Sequence, residues 1–301
     1  ADDPVDVAFI DEAHLLLTQG KQSYRGKNQL QDIIERARVT VVMFDEYQIL
    51  TTEQFWEAQI LEKYRKQAEA TNNHIILDKQ LRMQAGPETM DWIDSFTKRN
   101  EIKKLPETVD GYTIKVFDDP EQLDLEITEK AKKTDSALSR LIATYDWEYS
   151  SKAKRRFRKY WEVEIGAWHK PWNRELKSEL SQKEKRQIKD LAWAEQPQTI
   201  NEVGSTFTIQ GFDLNYAGVI LGPSVKYRNG KVIYDPEKSC NDKAIQNRTL
   251  SDGSKQKFGE ILIQHAVRVL MTRGVNGMFI YACDDELREA LKRATQRGET
   301  K

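Results

Sequence analysis

The chain has 301 residues, 32% of them charged and 39% hydrophobic, with 47 basic against 48 acidic side chains. That balance excludes a disordered polypeptide, and the length allows about two domains with cores of their own. No apolar run nears the roughly 18 residues of a membrane span, no secretory signal opens the sequence, and Cys240 and Cys283 lack the spacing of a zinc site or disulfide framework. The expectation is a cytoplasmic protein with no membrane partner.

Short β-branched runs alternate with longer amphipathic stretches. Val5 to Ile10, Val39 to Phe44 and His74 to Leu77 read as buried strands, while Gln29 to Arg38 and Thr52 to Thr71 read as helices. A second set follows: strands at Tyr112 to Phe117, Arg140 to Tyr145, Ala217 to Gly222 and Met278 to Ala282, with a helix from Pro120 to about Thr134. This order predicts an α/β fold, two parallel-sheet layers in tandem divided at about residue 84, the first at 1–84 and the second at 85–301. The aperiodic interval of about 146–199 reads as an insertion or connecting arm.

The first strand runs straight into two acids, "VAFIDEAH" (Val7 to His14). Ligands of open α/β sheets sit beyond the carboxyl ends of the strands, and these acids stand at such an end. Asp11 suits a Mg2+ ion held through its water shell, and Glu12 can position or deprotonate an attacking water. The alternative is a strand followed by a capping acid at the next helix.

The stretch resembles the Walker B segment of P-loop helicases, and further motifs follow in order. "VVMFDEYQIL" (Val41 to Leu50) resembles motif III of superfamily 1, which makes Gln48 the γ-phosphate sensor. "LDKQLRMQAG" (Leu77 to Gly86) resembles motif IV, with Arg82 reaching the nucleotide phosphates. "STFTIQGFDLNYAGVILG" (Ser205 to Gly222) resembles motif V, where Gln210 and Gly211 match and Asp213 stands in place of the usual Glu as the nucleotide contact. "QHAVRVLMTRGVNGMFIYACDDEL" (Gln264 to Leu287) resembles motif VI, a helix ending in Thr-Arg, a Gly-containing turn and a strand. It makes Arg273 the arginine finger, while Arg268, on another helical face, reads as structural.

The version of motifs V and VI looks most like an uncharacterised bacterial helicase family related to the helicase region of long Schlafen proteins. The resemblance implies a P-loop NTPase fold of two RecA-like domains, with ATP and Mg2+ as cofactors and single-stranded DNA or RNA as partner. It also implies a phosphate loop, G-x-x-x-x-G-K-[ST], and none occurs within the 301 residues. "GKQSYRGKN" (Gly20 to Asn28) has one residue too many and Asn28 where Ser or Thr is needed. The expectation is therefore a fragment whose first domain is truncated at its N-terminus, inactive as an ATPase, with an unpaired sheet edge that favours oligomers.

Between Lys152 and Lys189 stand 13 Lys or Arg against 5 Glu, with Trp147, Trp161, Trp168 and Trp172 in or beside the first half. Basic groups contact phosphates and aromatic faces stack on unpaired bases, so Lys154, Arg155, Arg156, Arg158 and Trp161 are the candidate strand-binding residues. The alternative is a solvated helix whose tryptophans pack on the second domain, with Trp172 buried in a fixed turn at "HKPWN" (His169 to Asn173).

Overall fold

The computed structural model describes residues 3–20, 24–26, 28–77, 80–106, 111–150 and 159–295. The chain divides into two compact units, residues 1–80 with 242–265, and residues 81–241 with 266–301. Residues 242–265 thus group with the first unit, although they lie far beyond it in sequence. No helix among the described residues is long and apolar enough to cross a membrane.

In the first unit, β1 (Val5–Ile10) and β2 (Ala37–Val42) pair in parallel, Val7 opposite Val39 and Ile10 opposite Val42. Between them lies α1 (Gln29–Ile34), whose N-cap is Asn28: its side-chain oxygen accepts from the amides of Leu30 and Gln31 at 2.9 and 3.2 Å. Asn28, standing where a phosphate loop would need Ser or Thr, thus starts a helix. That helix is four residues shorter than expected because the chain is already extended at Ala37.

One face of the β1–β2 pair turns Ile10 and Val42 toward a core of Leu30, Ile49, Trp56, Ala244 and Leu262. The opposite face leaves Val5, Val7, Phe9, Val39, Val41 and Met43 between 38% and 73% exposed. The strand expected at His74 to Leu77 does not form: Ile75, Ile76 and Leu77 are 73–86% exposed and pair with nothing among the described residues. A β-branched run becomes a strand only beside a neighbour that takes its backbone hydrogen bonds. The helix expected over Thr52 to Thr71 splits into a short 3-10 turn (Thr52–Gln54) and α2 (Ala58–Ala70), because Phe55 and Glu57 adopt extended backbone as Trp56 enters the core.

The second unit holds five parallel strands in the order β3 (Thr113–Val116), the late strand Gly274–Ala282, β8 (Leu214–Leu221), β4 (Arg140–Ala143) and β7 (Gly204–Ser205). Its central strands are almost continuously apolar and buried, as parallel strands covered on both faces must be. The helices α3 (Pro87–Lys98) and α4 (Pro120–Ala131) belong to the same unit, and α4 buries Leu123 and Ile127 in the core. Asp119 caps α4 by accepting from the Glu121 amide at 2.9 Å, and Pro120 occupies the first turn, where its missing N–H costs nothing.

The interval 146–199 carries structure of its own. β5 (Glu162–Ile165) and β6 (Trp168–Pro171) form an antiparallel hairpin, and Trp172 beyond it bridges to Val203 in parallel, prolonging the large sheet. Trp172 is fully buried with Tyr145 and Trp147 against its ring, and Trp161 and Trp168 pack on the same core. The tail of this segment is thus part of the second core.

Candidate functional site

Hydrogen bonds from the Met43 amide to Ile10 O and from the Ala13 amide to Met43 O, both 2.9 Å, carry the β1–β2 ladder past its end. Asp11 and Glu12 therefore leave the sheet beside the segment that leads to Gln48. The Asp11 carboxylate is exposed and accepts from the Glu12 amide at 2.8 Å. An exposed carboxylate at a strand end fits Mg2+, which keeps most of its waters. No group of three His, Cys, Asp or Glu side chains able to hold a metal occurs among the described residues, so a bound Mg2+ would take most of its oxygens from water and phosphate.

Glu12 has φ +52°, ψ +39°, a left-handed backbone that costs a long side chain about 1–2 kcal/mol. The conformation sets its carboxylate 2.8 Å from Nε2 of the buried His14, whose ring meets Phe44 edge-on. The spacing of "DEAH" thus brings the buried His14 ring against the Glu12 carboxylate. Gln48 closes a 3-10 turn (Glu46–Gln48) capped by Asp45, which accepts from the Tyr47 amide and from Gln48 Nε2, each at 3.0 Å. The Asp and Gln three residues apart are therefore one hydrogen-bonded device.

The later motif residues gather in the second unit. Arg82 Nε lies 2.5 Å from Asp213 Oδ1, and Arg273 Nη1 lies 3.9 Å from the same oxygen. Arg273 is only 1% exposed; its Nε donates to Val269 O at 3.2 Å and its Nη1 to Phe212 O at 3.4 Å. Two guanidiniums thus converge on one carboxylate. Gln210 ends a short helix (Thr206–Ile209), and Gly211 follows with φ +78°. Nothing lies within 4 Å of where a Gly211 side chain would begin, so the glycine serves the left-handed turn and leaves open space beside it. The turn expected after Arg273 is replaced by strand: the helix Gly259–Met271 is followed almost at once by Gly274–Ala282, with a bulge between Gly274 and Gly277. Arg268 pairs with Asp94, a structural role.

Of the strand-binding candidates, Lys154, Arg155, Arg156 and Arg158 lie outside the described residues. Trp161 is half-buried, its Nε1 donating to Ser150 O at 3.1 Å.

A further polar cluster, unforeseen in the sequence, closes the carboxyl ends of β4 and β8. Asp146 Oδ2 accepts from Thr144 Oγ1 at 2.8 Å and from the Ser224 amide at 2.9 Å, while its Oδ1 is sealed off without a partner among the described residues. Burial pushes this carboxyl up to about 6 against those hydrogen bonds. Burial, and then the Asp146 charge, push the neighbouring Cys283 thiol up to about 12, so it is un-ionised and inert at neutral pH. A side chain at Gly222 would begin 2.3 Å from Asp146 Oδ2, which explains that glycine.

Acids at the ends of parallel strands, with arginines gathered on a second parallel sheet, define an α/β protein compatible with the RecA-like fold. The chain belongs to the family described as Schlafen group 3, DNA/RNA helicase domain, whose model matches residues 1–284. It is 30% identical over 316 aligned positions to an uncharacterised protein of Saccharomyces cerevisiae, YPL245W; the match covers 97% of this chain and 65% of that protein. The chain thus spans about two thirds of that relative's length. No solved structure matches. Family membership points to a helicase-like, nucleic-acid-related role.

Proposed function

We propose that these residues form the larger part of a superfamily 1 type DNA or RNA helicase, or nucleic-acid-stimulated ATPase, built on two RecA-like domains. The observation that carries this reading is the strained Glu12, held by His14 at the end of β1 and next to the capped Gln48 turn. Backbone strain in a long acidic side chain persists where the surrounding structure enforces it, typically at a working site. Bound Mg2+ would neutralise phosphate charge and orient the nucleotide. Asp11 would hold that ion, Glu12 would orient and deprotonate water, and Gln48 would respond to the terminal phosphate. Arg82 and Arg273 supply planar donors for phosphate, and a phosphate must compete with Asp213 for them. Gln210 and Gly211 border the same turn and would contact the nucleotide. The pattern G-x-x-x-x-G-K-[ST] that such nucleotide sites use does not occur within these 301 residues.

The burial of Arg273 favours a second reading, a catalytically silent nucleic-acid-binding or ATP-switch protein that keeps the fold. Both readings share single-stranded DNA or RNA as partner. Charge reversal of Lys154, Arg155, Arg156 and Arg158 is expected to weaken binding of a labelled single strand and to flatten its salt dependence, by about 0.7 in log–log slope for each phosphate no longer neutralised. Unchanged binding at low salt would contradict the arm's role.

A further inference from the structure

Among the described residues, six other than glycine have a left-handed backbone: Glu12, Asn72, Asn100, Asn173, Arg174 and Asn229. Asparagine tolerates that region because its short amide bonds locally, whereas a long charged side chain gains nothing there. Glu12 and Arg174 are the two that asparagine chemistry leaves unexplained, and Glu12 already stands at the proposed ATP site.

Arg174, at φ +77°, follows directly on the buried Trp172–Asn173 turn. Asn173 is fixed on three sides. Its Oδ1 accepts from Ser205 Oγ at 2.8 Å, its Nδ2 donates to Tyr145 Oη at 3.2 Å, and its amide donates to Val203 O at 3.0 Å. The turn is thus imposed from below and leaves Arg174 exposed, its charge felt by Tyr149 and Glu202, with no side-chain hydrogen bond or ion pair closed to a described residue.

The acids and bases that follow are used unequally. Glu175 accepts from the Trp161 amide at 3.3 Å, Glu179 pairs with Lys159 at 2.8 Å, and Glu184 accepts from the Ser181 amide and hydroxyl at 2.8 and 2.6 Å. Glu202, which feels the Arg174 charge, is already engaged by Trp193 Nε1 and the Leu176 amide. The bases Lys177, Lys183, Arg186 and Lys189 have no acidic partner among the described residues. Lys185 donates to Ser178 O at 3.3 Å, and Asp190, beside Lys189, has no partner among the described residues either; the remaining bases still outnumber the free acid, and such a cationic surplus suits an external polyanion.

We infer that Arg174, with Lys177, Lys183, Arg186 and Lys189, binds the phosphodiester backbone of a single strand, Arg174 being the contact for which the turn is strained. This rests on the nucleic-acid reading above and adds a second group of contacts to the candidates at 154–158.

The test measures binding of a fluorescein-labelled oligonucleotide of about 20 nucleotides across a salt series, together with thermal unfolding, for the whole 301-residue chain. Arg174→Gly accepts φ +77° without strain and is expected to keep or raise the thermal midpoint. Its affinity is expected to fall about three- to tenfold, with the log–log salt slope smaller by about 0.7, the value of one phosphate on a single strand. Arg174→Lys should retain most of the binding. Unchanged affinity and slope in Arg174→Gly would overturn the inference and leave the nucleic-acid reading standing, whereas absence of binding in the unmodified chain would overturn both. Should Arg174→Gly fail to fold, the pair Lys177→Gln and Arg186→Gln decides by the same readout. Binding of anionic vesicles in place of the oligonucleotide would also count against it.

Discussion

Trp172→Ala is expected to destabilise the second unit by about 3–5 kcal/mol, the usual cost of removing a fully buried aromatic side chain from a core that cannot collapse around the gap. The ring is 0% exposed, its centroid lies 5.3 Å from that of Tyr145 and 6.2 Å from that of Trp147, and the backbone on either side joins β6 to Val203. Against a domain stability of about 5–15 kcal/mol, that loss leaves little margin at physiological temperature. Trp172→Phe keeps most of the packing, and the Trp172 Nε1 has no partner among the described residues to forfeit, so the milder variant should cost far less. Denaturant unfolding of both variants checks this. A Trp172→Ala loss under about 1 kcal/mol would mean that the hairpin segment is an appendage after all.

Asp146→Asn is expected to stabilise the chain at pH 7.5 and to have little effect near pH 4. The folded chain holds the Asp146 proton up to about pH 6, whereas an unfolded aspartate releases it near 3.8. Stability from this residue is therefore present at low pH, falls as pH rises between about 4 and 6, and is lost above that range. A shift of this size corresponds to about 3 kcal/mol at most. The Asn oxygen can still accept from Thr144 Oγ1 and the Ser224 amide, so the substitution removes the charge and keeps the cluster. Thermal midpoints of both forms across pH 4 to 8 should diverge as pH rises; parallel curves would contradict the buried-carboxylate account.

Much of this was legible in the sequence because it is local. β1, α4 and four of the five strands of the second sheet follow from short apolar runs with capping or turn residues at their ends, whereas the two-residue β7 carries no such signal, and "FIDEAH" falls directly at a strand end. What escaped depends on partners far along the chain. His74 to Leu77 has strand chemistry and no strand, since strands are made by neighbours. The hairpin Glu162 to Pro171 is hard to read because each of its strands is only four residues long: Val163 and Ile165 alternate onto the core, but the other strand offers it only Trp168. At the site, residue identity pointed to Asp11, Glu12 and Gln48, but not to the left-handed Glu12 or its His14 partner. Nor could it show Arg82 and Arg273 converging on Asp213, which joins positions 82, 213 and 273.

Phosphate release with and without single strand decides whether Glu12 serves ATP hydrolysis coupled to nucleic acid. The samples are the 301-residue chain, a longer polypeptide joining it to a phosphate loop, and the latter with Glu12→Gln. The expected result is a silent 301-residue chain, strand-stimulated release from the longer polypeptide, and a fall of about 100-fold or more on Glu12→Gln, as for loss of a catalytic base. Strand-stimulated release that survives Glu12→Gln, or turnover by the 301 residues alone above an Asp11→Asn, Glu12→Gln control, would contradict it.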